Sequence, residues 1–129
     1  MRNMEDDSSI FTMIIQGKIP CHKVYEDDMV FAFLDINPSS PGHTLVVPKE
    51  PARTLDELSD GSAQAIGRAL PRISKAVLKA TGASEFNVIQ NNGPNAFKSV
   101  FHVHFHIIPK MEDGRGLSFP FKPSSIDHE

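Results

Sequence analysis

The residues best equipped for chemistry stand together late in the chain, in His102-Val103-His104-Phe105-His106-Ile107-Ile108-Pro109. Three histidines alternate with Val103, Phe105 and Ile107. Alternation with β-branched and aromatic residues is the pattern of a half-buried strand, and Pro109 marks its expected end. Successive side chains of a strand point to opposite faces. His102, His104 and His106 are therefore expected in one row, backed by an apolar face that must pack on a core. Three uses compete for such a row. One is a solvent face of no chemical consequence, although Thr, Lys and Glu usually fill such faces. A metal site is the second, because neutral imidazole is a common ligand of zinc and copper. His102 and His106 would stand roughly 13 Å apart along a strand, too far for one ion to take all three at ligand distances of about 2 Å. The third is nucleophilic and acid–base chemistry, for which imidazole has both the lone pair and a pKa near neutrality.

The elements that must position these histidines can be read along the chain. Residues 1–8 are polar and acidic and are expected to be disordered. Ser9 is placed to cap a short helix running through Gln16 and closed by Gly17. Lys23–Glu26 and Met29–Leu34 read as strands joined at Asp27-Asp28, and Pro41-Gly42-His43 reads as a turn into a buried strand ending near Pro48-Lys49. Thr54 is a candidate cap for a short turn through Leu58. A longer helix is expected over 61–81, stopped by Gly82, with Ile66, Leu70, Ile73, Val77 and Ala80 as its apolar stripe. Pro71 lies inside it and should kink it near residues 67–71. Glu85–Gln90 reads as a strand, followed by the turn-rich Asn91-Asn92-Gly93-Pro94-Asn95. Residues 111–129 are rich in Gly, Pro and Ser, with Leu117, Phe119 and Phe121 as isolated anchors, and are expected to wrap the surface as a tail. The fold class is α+β: a five-stranded antiparallel sheet, one long helix and a short N-terminal helix, with residues 9–110 as the single domain.

Composition narrows the function. A chain of 129 residues suits one domain with one core. A formal charge of −3 offers no broad field for nucleic acid or an anionic membrane. Cys21 is alone, so no intramolecular disulfide can form and a reducing compartment fits. The Ile10–Ile15 run follows Glu5, Asp6 and Asp7 and is too short for a signal segment or a membrane span. A cytoplasmic protein without nucleic-acid or membrane partners is the expectation.

His102–Ile108 fits His-φ-His-φ-His-φ-φ, φ being apolar, and so resembles the histidine triad (HIT) superfamily of nucleotide hydrolases and transferases. The resemblance is to its shorter, general Hint-like branch and covers about residues 9–110, with four landmarks in order. It implies that His104, the middle histidine, attacks the α-phosphorus of a purine nucleotide conjugate such as an AMP conjugate. A nucleotidyl-histidine intermediate would then be hydrolysed. It implies a homodimer, joined through the long helix and the 85–90 strand. The carbonyl of His102 would hold the second nitrogen of His104. His106 and His43, in Pro41-Gly42-His43, would stabilise phosphoryl oxygens, and Ser99 would assist the leaving group.

Other positions carry two readings. Phe11 and Ile14 read from spacing as core, and by resemblance as part of the base pocket. Asp35 is a turn cap by its position and the ribose-binding acid by resemblance, with Leu34 and Ile36 beside the base. Asn91 resembles a phosphate-contacting position. Lys98 departs from the common Gly-Gln pair and is either a cation for a more anionic leaving group or a solvated side chain. Many relatives bind zinc through a Cys-x-x-Cys pair where this chain has Ser9 and Thr12. Hydroxyls are poor zinc ligands, so no metal and no cofactor is expected. His22 and His128 match nothing and read as surface residues. A dinucleoside polyphosphate hydrolase, a nucleotide-binding interaction module with vestigial turnover and a metal-dependent hydrolase remain alternatives.

Overall fold

In the computed structural model, which describes residues 9–94 and 100–118, five strands form one sheet flanked by two helices. In chain order the elements are α1 (Ile10–Ile15), β1 (Lys23–Glu26), β2 (Val30–Leu34), β3 (Thr44–Pro48), a 3₁₀ turn at Leu55–Glu57, α2 (Asp60–Thr81), β4 (Glu85–Gln90) and β5 (Phe105–Lys110). The strands lie in the order β1-β2-β3-β5-β4, each antiparallel to its neighbours. The α+β expectation and the five-stranded count hold.

Alternation along the strands builds two cores. Val30, Ala32, Val46 and Ile107 face α2 and pack under Ala65, Ile66, Ala69, Ile73 and Val77. Phe31, Phe33, Leu45 and Val47, out of phase by one residue, face the opposite way and meet Phe11 and Ile14 of α1. Six residues are too few for a helix to persist alone. Burial of Phe11 and Ile14, each contributing about 1.5–3 kcal/mol, holds α1 on the sheet. The Ser9 side chain accepts the Thr12 N–H at the start of α1, as its capping role requires.

The long helix begins one residue earlier than expected, at Asp60, because Ser59 caps it by accepting the Ser62 N–H. It continues through Pro71 as one element and closes at Gly82, with φ +77°. The expected stripe needs one correction: Ala80 is exposed. Thr81, four residues beyond Val77, takes the inward place, its hydroxyl donating to Val77 O at 2.8 Å. Thr54 stands at the cap position of the 3₁₀ turn without a side-chain capping bond.

Thr81 also closes on the turn that delivers His43. Gly42 has φ +84°, and a Cβ there would lie 2.6 Å from Thr81 Cγ2. Gly42→Ala is therefore expected to cost about 2–4 kcal/mol, combining left-handed backbone strain with overpacking. Urea denaturation of the two proteins measures the difference.

The histidine segment departs from expectation. The strand was expected from His102, yet β5 starts at Phe105. Val46 pairs with Phe105, so continuing that register would set Pro48 against Val103. Proline has no N–H for a ladder bond at that place. The chain turns aside instead: Val103 N–H donates to Ala52 O at 2.8 Å, and Pro48 O is taken by the His102 ring. Pro109, the expected stop, lies within β5. It pairs with Phe86 beyond the last β3 partner, while its carbonyl accepts the Ser40 hydroxyl at 2.6 Å. A missing N–H costs nothing there.

At the other end of the sheet β4 is an edge strand, with Phe86 39% and Val88 46% exposed. Residues after β5 fold back at Met111–Arg115, and Lys110 Nζ donates to the carbonyls of Gly114 and Leu117. Among the described residues no helix is long and apolar enough to cross a membrane.

Candidate active site

His104 and His106 lie on the α1 face of the sheet, out of phase with Ile107 and the α2 core. His104 is buried, with the Phe11 ring edge-on at 4.9 Å and the His106 ring at 5.1 Å. Its Nδ1 is 2.7 Å from His102 O. A carbonyl can only accept, so Nδ1 carries the hydrogen and Nε2 of the neutral ring carries a lone pair. The expected contact between His104 and the His102 carbonyl is present, and it fixes which nitrogen is nucleophilic.

A second chain of bonds sets the polarity of His106. Ser39 N–H donates to His43 Nδ1 at 3.0 Å. That nitrogen must be unprotonated, which places the proton of neutral His43 on Nε2. His43 Nε2 lies 2.9 Å from His106 Nδ1 and 3.4 Å from Asp35 Oδ2. Donation to His106 Nδ1 leaves the hydrogen of His106 on Nε2, where no described residue takes it up. One sheet face thus presents a lone pair on His104 and an N–H on His106 side by side. That pair suits attack on an electrophile whose oxygens are anionic.

Asp35, His43 and His106 also bring three possible metal-ligand atoms within 4.8 Å of one another. The bonding opposes that use, because the Ser39 N–H keeps a proton on the nitrogen of His43 that would have to bind the ion. Asp35 serves the loop as well, accepting the Asn37 N–H on Oδ1 at 2.9 Å. Its turn-capping role is therefore real, while Oδ2 faces the histidines.

The expected row of three histidines is not carried by one strand, because β5 begins only at Phe105. His102 turns inward and is 1% exposed, with Nε2 2.9 Å from Pro48 O and Nδ1 3.2 Å from Ser9 Oγ. Pro48 diverts the chain before β5 begins, so His102 precedes the strand while staying on the α1 side, against Ser9 and Phe11. Phe11 joins the two arms, touching Phe33 at 5.6 Å and His102 at 6.0 Å as well as His104. Ile14 is core, Leu34 is half-buried and Ile36 is 83% exposed. Gln90 pairs with Phe105, so Asn91 follows at the level of His104. Asn92, next to it, is structural: it exchanges side-chain bonds with Gln90 and accepts the Leu55 N–H. His22 is exposed, as expected. Ser99, Lys98 and His128 lie outside the described residues. Sequence reasoning missed Ser39, Pro48 and the Ser9 contact to His102. Ser39 acts through its backbone, which no residue type reveals.

Burial lowers the pKa of both His43 and His106 from the ordinary 6.5; the nearby Asp35 opposes the shift, and His43 reinforces it at His106. A folded state with depressed histidine pKa values binds fewer protons than the unfolded chain below pH 6.5. These groups therefore leave stability unchanged above that pH and remove it on acidification, until the folded pKa values are passed. Melting temperatures measured from roughly pH 8 to 5 should fall in the acid range, and the fall should shrink in His43→Asn.

Comparison with known proteins adds an independent line. Residues 16–113 match the model of the HIT domain family. Adenosine 5′-monophosphoramidase hnt1 of Schizosaccharomyces pombe is 49% identical over 124 residues, covering 92% of this chain and 90% of that protein. Adenylylsulfatase HINT3 of Arabidopsis thaliana is 47% identical over 103 residues, covering 80% of this chain and 52% of that protein. Among solved structures, a hypothetical protein from Leishmania major superposes with a TM-score of 0.86 at 46% identity, covering 93% of this chain and 85% of its own.

Proposed function

The chain belongs to the HIT domain family, in its Hint-like branch, and is a hydrolase of that family; we propose that it cleaves purine nucleoside 5′-monophosphates joined through the α-phosphorus to an amine. The observation that carries this reading is the 2.7 Å contact from His104 Nδ1 to His102 O, which leaves Nε2 of His104 unprotonated, next to a His106 N–H that no described residue takes up. The name of the fission-yeast relative, an adenosine 5′-monophosphoramidase, supports the choice of an amine as leaving group.

In this mechanism His104 Nε2 attacks phosphorus and the phosphorus–nitrogen bond breaks. The departing amine takes the proton of the Ser99 hydroxyl, the proposed relay, and the water that later attacks the nucleotidyl-histidine returns one to Ser99. As the His104 ring becomes cationic, its Nδ1–H points at the dipole of the His102 carbonyl. His106 Nε2–H donates to a phosphoryl oxygen as charge builds there. Water then attacks the nucleotidyl-histidine, releasing the monophosphate and restoring the lone pair. Splitting one displacement into two lowers each barrier. Asp35 is the proposed acceptor for the ribose hydroxyls. Phe11, Ile14, Leu34 and Ile36 are the proposed surroundings of the base, Asn91 a phosphate contact, and Lys98 the candidate cation for a charged leaving group. The reaction needs no metal.

The proposed assembly is a homodimer formed across the exposed edge of β4, where Phe86 and Val88 are uncovered. Sedimentation equilibrium should return twice the chain mass of 14.2 kDa. The cytoplasm is the proposed setting. The test of function is AMP release, with EDTA present, from adenosine monophosphoramidate and from diadenosine polyphosphates in parallel. Faster release from the phosphoramidate is expected. A preference for the polyphosphates would move the assignment to a dinucleoside polyphosphate hydrolase, with Lys98 as the selecting cation. AMP binding without turnover of either would favour the interaction module.

A further inference from the structure

We propose that Ser9 is a positioning residue for the nucleophile, acting through His102; the inference rests on His104 as the attacking group. His102 Nε2 is 2.9 Å from Pro48 O and must donate to it, so Nδ1 of the neutral ring is an acceptor. The group 3.2 Å from that nitrogen is the Ser9 hydroxyl, which therefore supplies the hydrogen. Ser9 Oγ accepts the Thr12 backbone N–H at 3.0 Å, and its single hydrogen is shared between His102 Nδ1 and the Thr12 hydroxyl oxygen, 3.0 Å away. One oxygen thus caps α1 and holds the imidazole of His102.

That imidazole is attached to the peptide that orients the nucleophile. His102 O accepts from His104 Nδ1 at 2.7 Å, and residues 102–104 lie outside the β5 ladder. Ladder bonds therefore do not fix the His102 carbonyl. Among the contacts that hold it are the Val103 N–H bond to Ala52 O and the bonds of the His102 ring to Pro48 and to Ser9. Removing the Ser9 hydroxyl takes one hydrogen bond from a buried ring and loosens the acceptor that keeps the His104 proton on Nδ1. The same helix presses Phe11 edge-on to His104 at 4.9 Å, so a shift of α1 reaches the nucleophile by a second route. Small errors in the aim of an attacking atom cost large factors in rate.

Ser9→Gly separates this role from capping, because glycine is a tolerable N-cap but has no hydroxyl to donate. Ser9→Thr keeps both functions. Ser9→Gly is expected to lower kcat on the nucleoside phosphoramidate about tenfold with KM changed less than twofold, and Ser9→Thr to restore most of kcat. In imidazole nitrogen NMR spectra of the substrate-free protein, Ser9→Gly should move His104 from a single tautomer toward averaging. Unchanged kcat in Ser9→Gly, or a kcat loss with an unaltered His104 spectrum, would overturn the proposal. So would equal losses in Ser9→Gly and Ser9→Thr. The spectra need no substrate. If the wild type fails to turn over the phosphoramidate, the functional reading fails, while the coupling of Ser9 to His104 is still decided by the NMR signals.

Discussion

Replacing His104 with alanine is expected to reduce AMP release from the phosphoramidate by at least about 10³-fold while nucleotide binding stays within a few-fold of wild type. Alanine has no lone pair, and among the described residues no other imidazole of the site offers an unprotonated nitrogen there: His43 Nδ1 and His106 Nδ1 are both occupied by donors. Binding should survive because the groups proposed to hold the base and ribose are on α1 and at the end of β2. The variant leaves a cavity beside Phe11 and removes the donor to His102 O, so a lower melting temperature is also expected. Titration calorimetry with AMP and a stopped assay under EDTA separate the two effects. Turnover by this variant clearly above background would remove His104 from the mechanism.

The second large effect is expected at His106. Its Nε2–H is the donor placed for a phosphoryl oxygen, and loss of one such donor typically costs about 10²–10³ in kcat. His106→Ala should fall in that range, with KM much less affected. His106→Gln, whose side-chain amide can also donate, should recover part of the loss. The His43–His106 pair is directional, so the donor is a neutral imidazole. Protonating either ring would bring two N–H groups face to face or set His43 against the Ser39 N–H. Activity should accordingly fall on acidification and stay level above the ordinary histidine range, with the inflection below 6.5 because burial depresses both groups. An inflection above that value in wild type would mean that a charged histidine takes part.

Much of this was legible because local rules and tertiary structure agree. Ser9 and Gly82 mark helix ends where their side chain or φ value requires, and β1 and β4 match the expected strands residue for residue. The role of His104 and its bond to the His102 carbonyl were implied by the resemblance to the histidine triad family, and the bond is present. What was not legible lies across long separations. The displacement of His102 from the strand depends on Pro48, 54 residues earlier, having no N–H to offer. The polarity of His106 depends on His43, 63 residues earlier, and on a backbone amide at Ser39 that any residue except proline would supply. Ser9 reads as a cap from its neighbours alone; its contact with His102, 93 residues on, exists only once α1 lies on the sheet. Ala80 stands three residues beyond Val77 and is exposed, whereas the step of four from Val77 points Thr81 at Gly42.

The most direct test of the central claim is the covalent intermediate itself. Wild-type protein would be mixed with excess adenosine monophosphoramidate in EDTA, quenched with denaturant at alkaline pH within the first turnovers, digested and weighed by mass spectrometry. An adenylyl group on the peptide that spans His102–Lys110, located at His104 and absent from His104→Ala, is the expected result. Steady release of AMP with no adduct on that peptide at any quench time, and with loss of activity in EDTA, would contradict it.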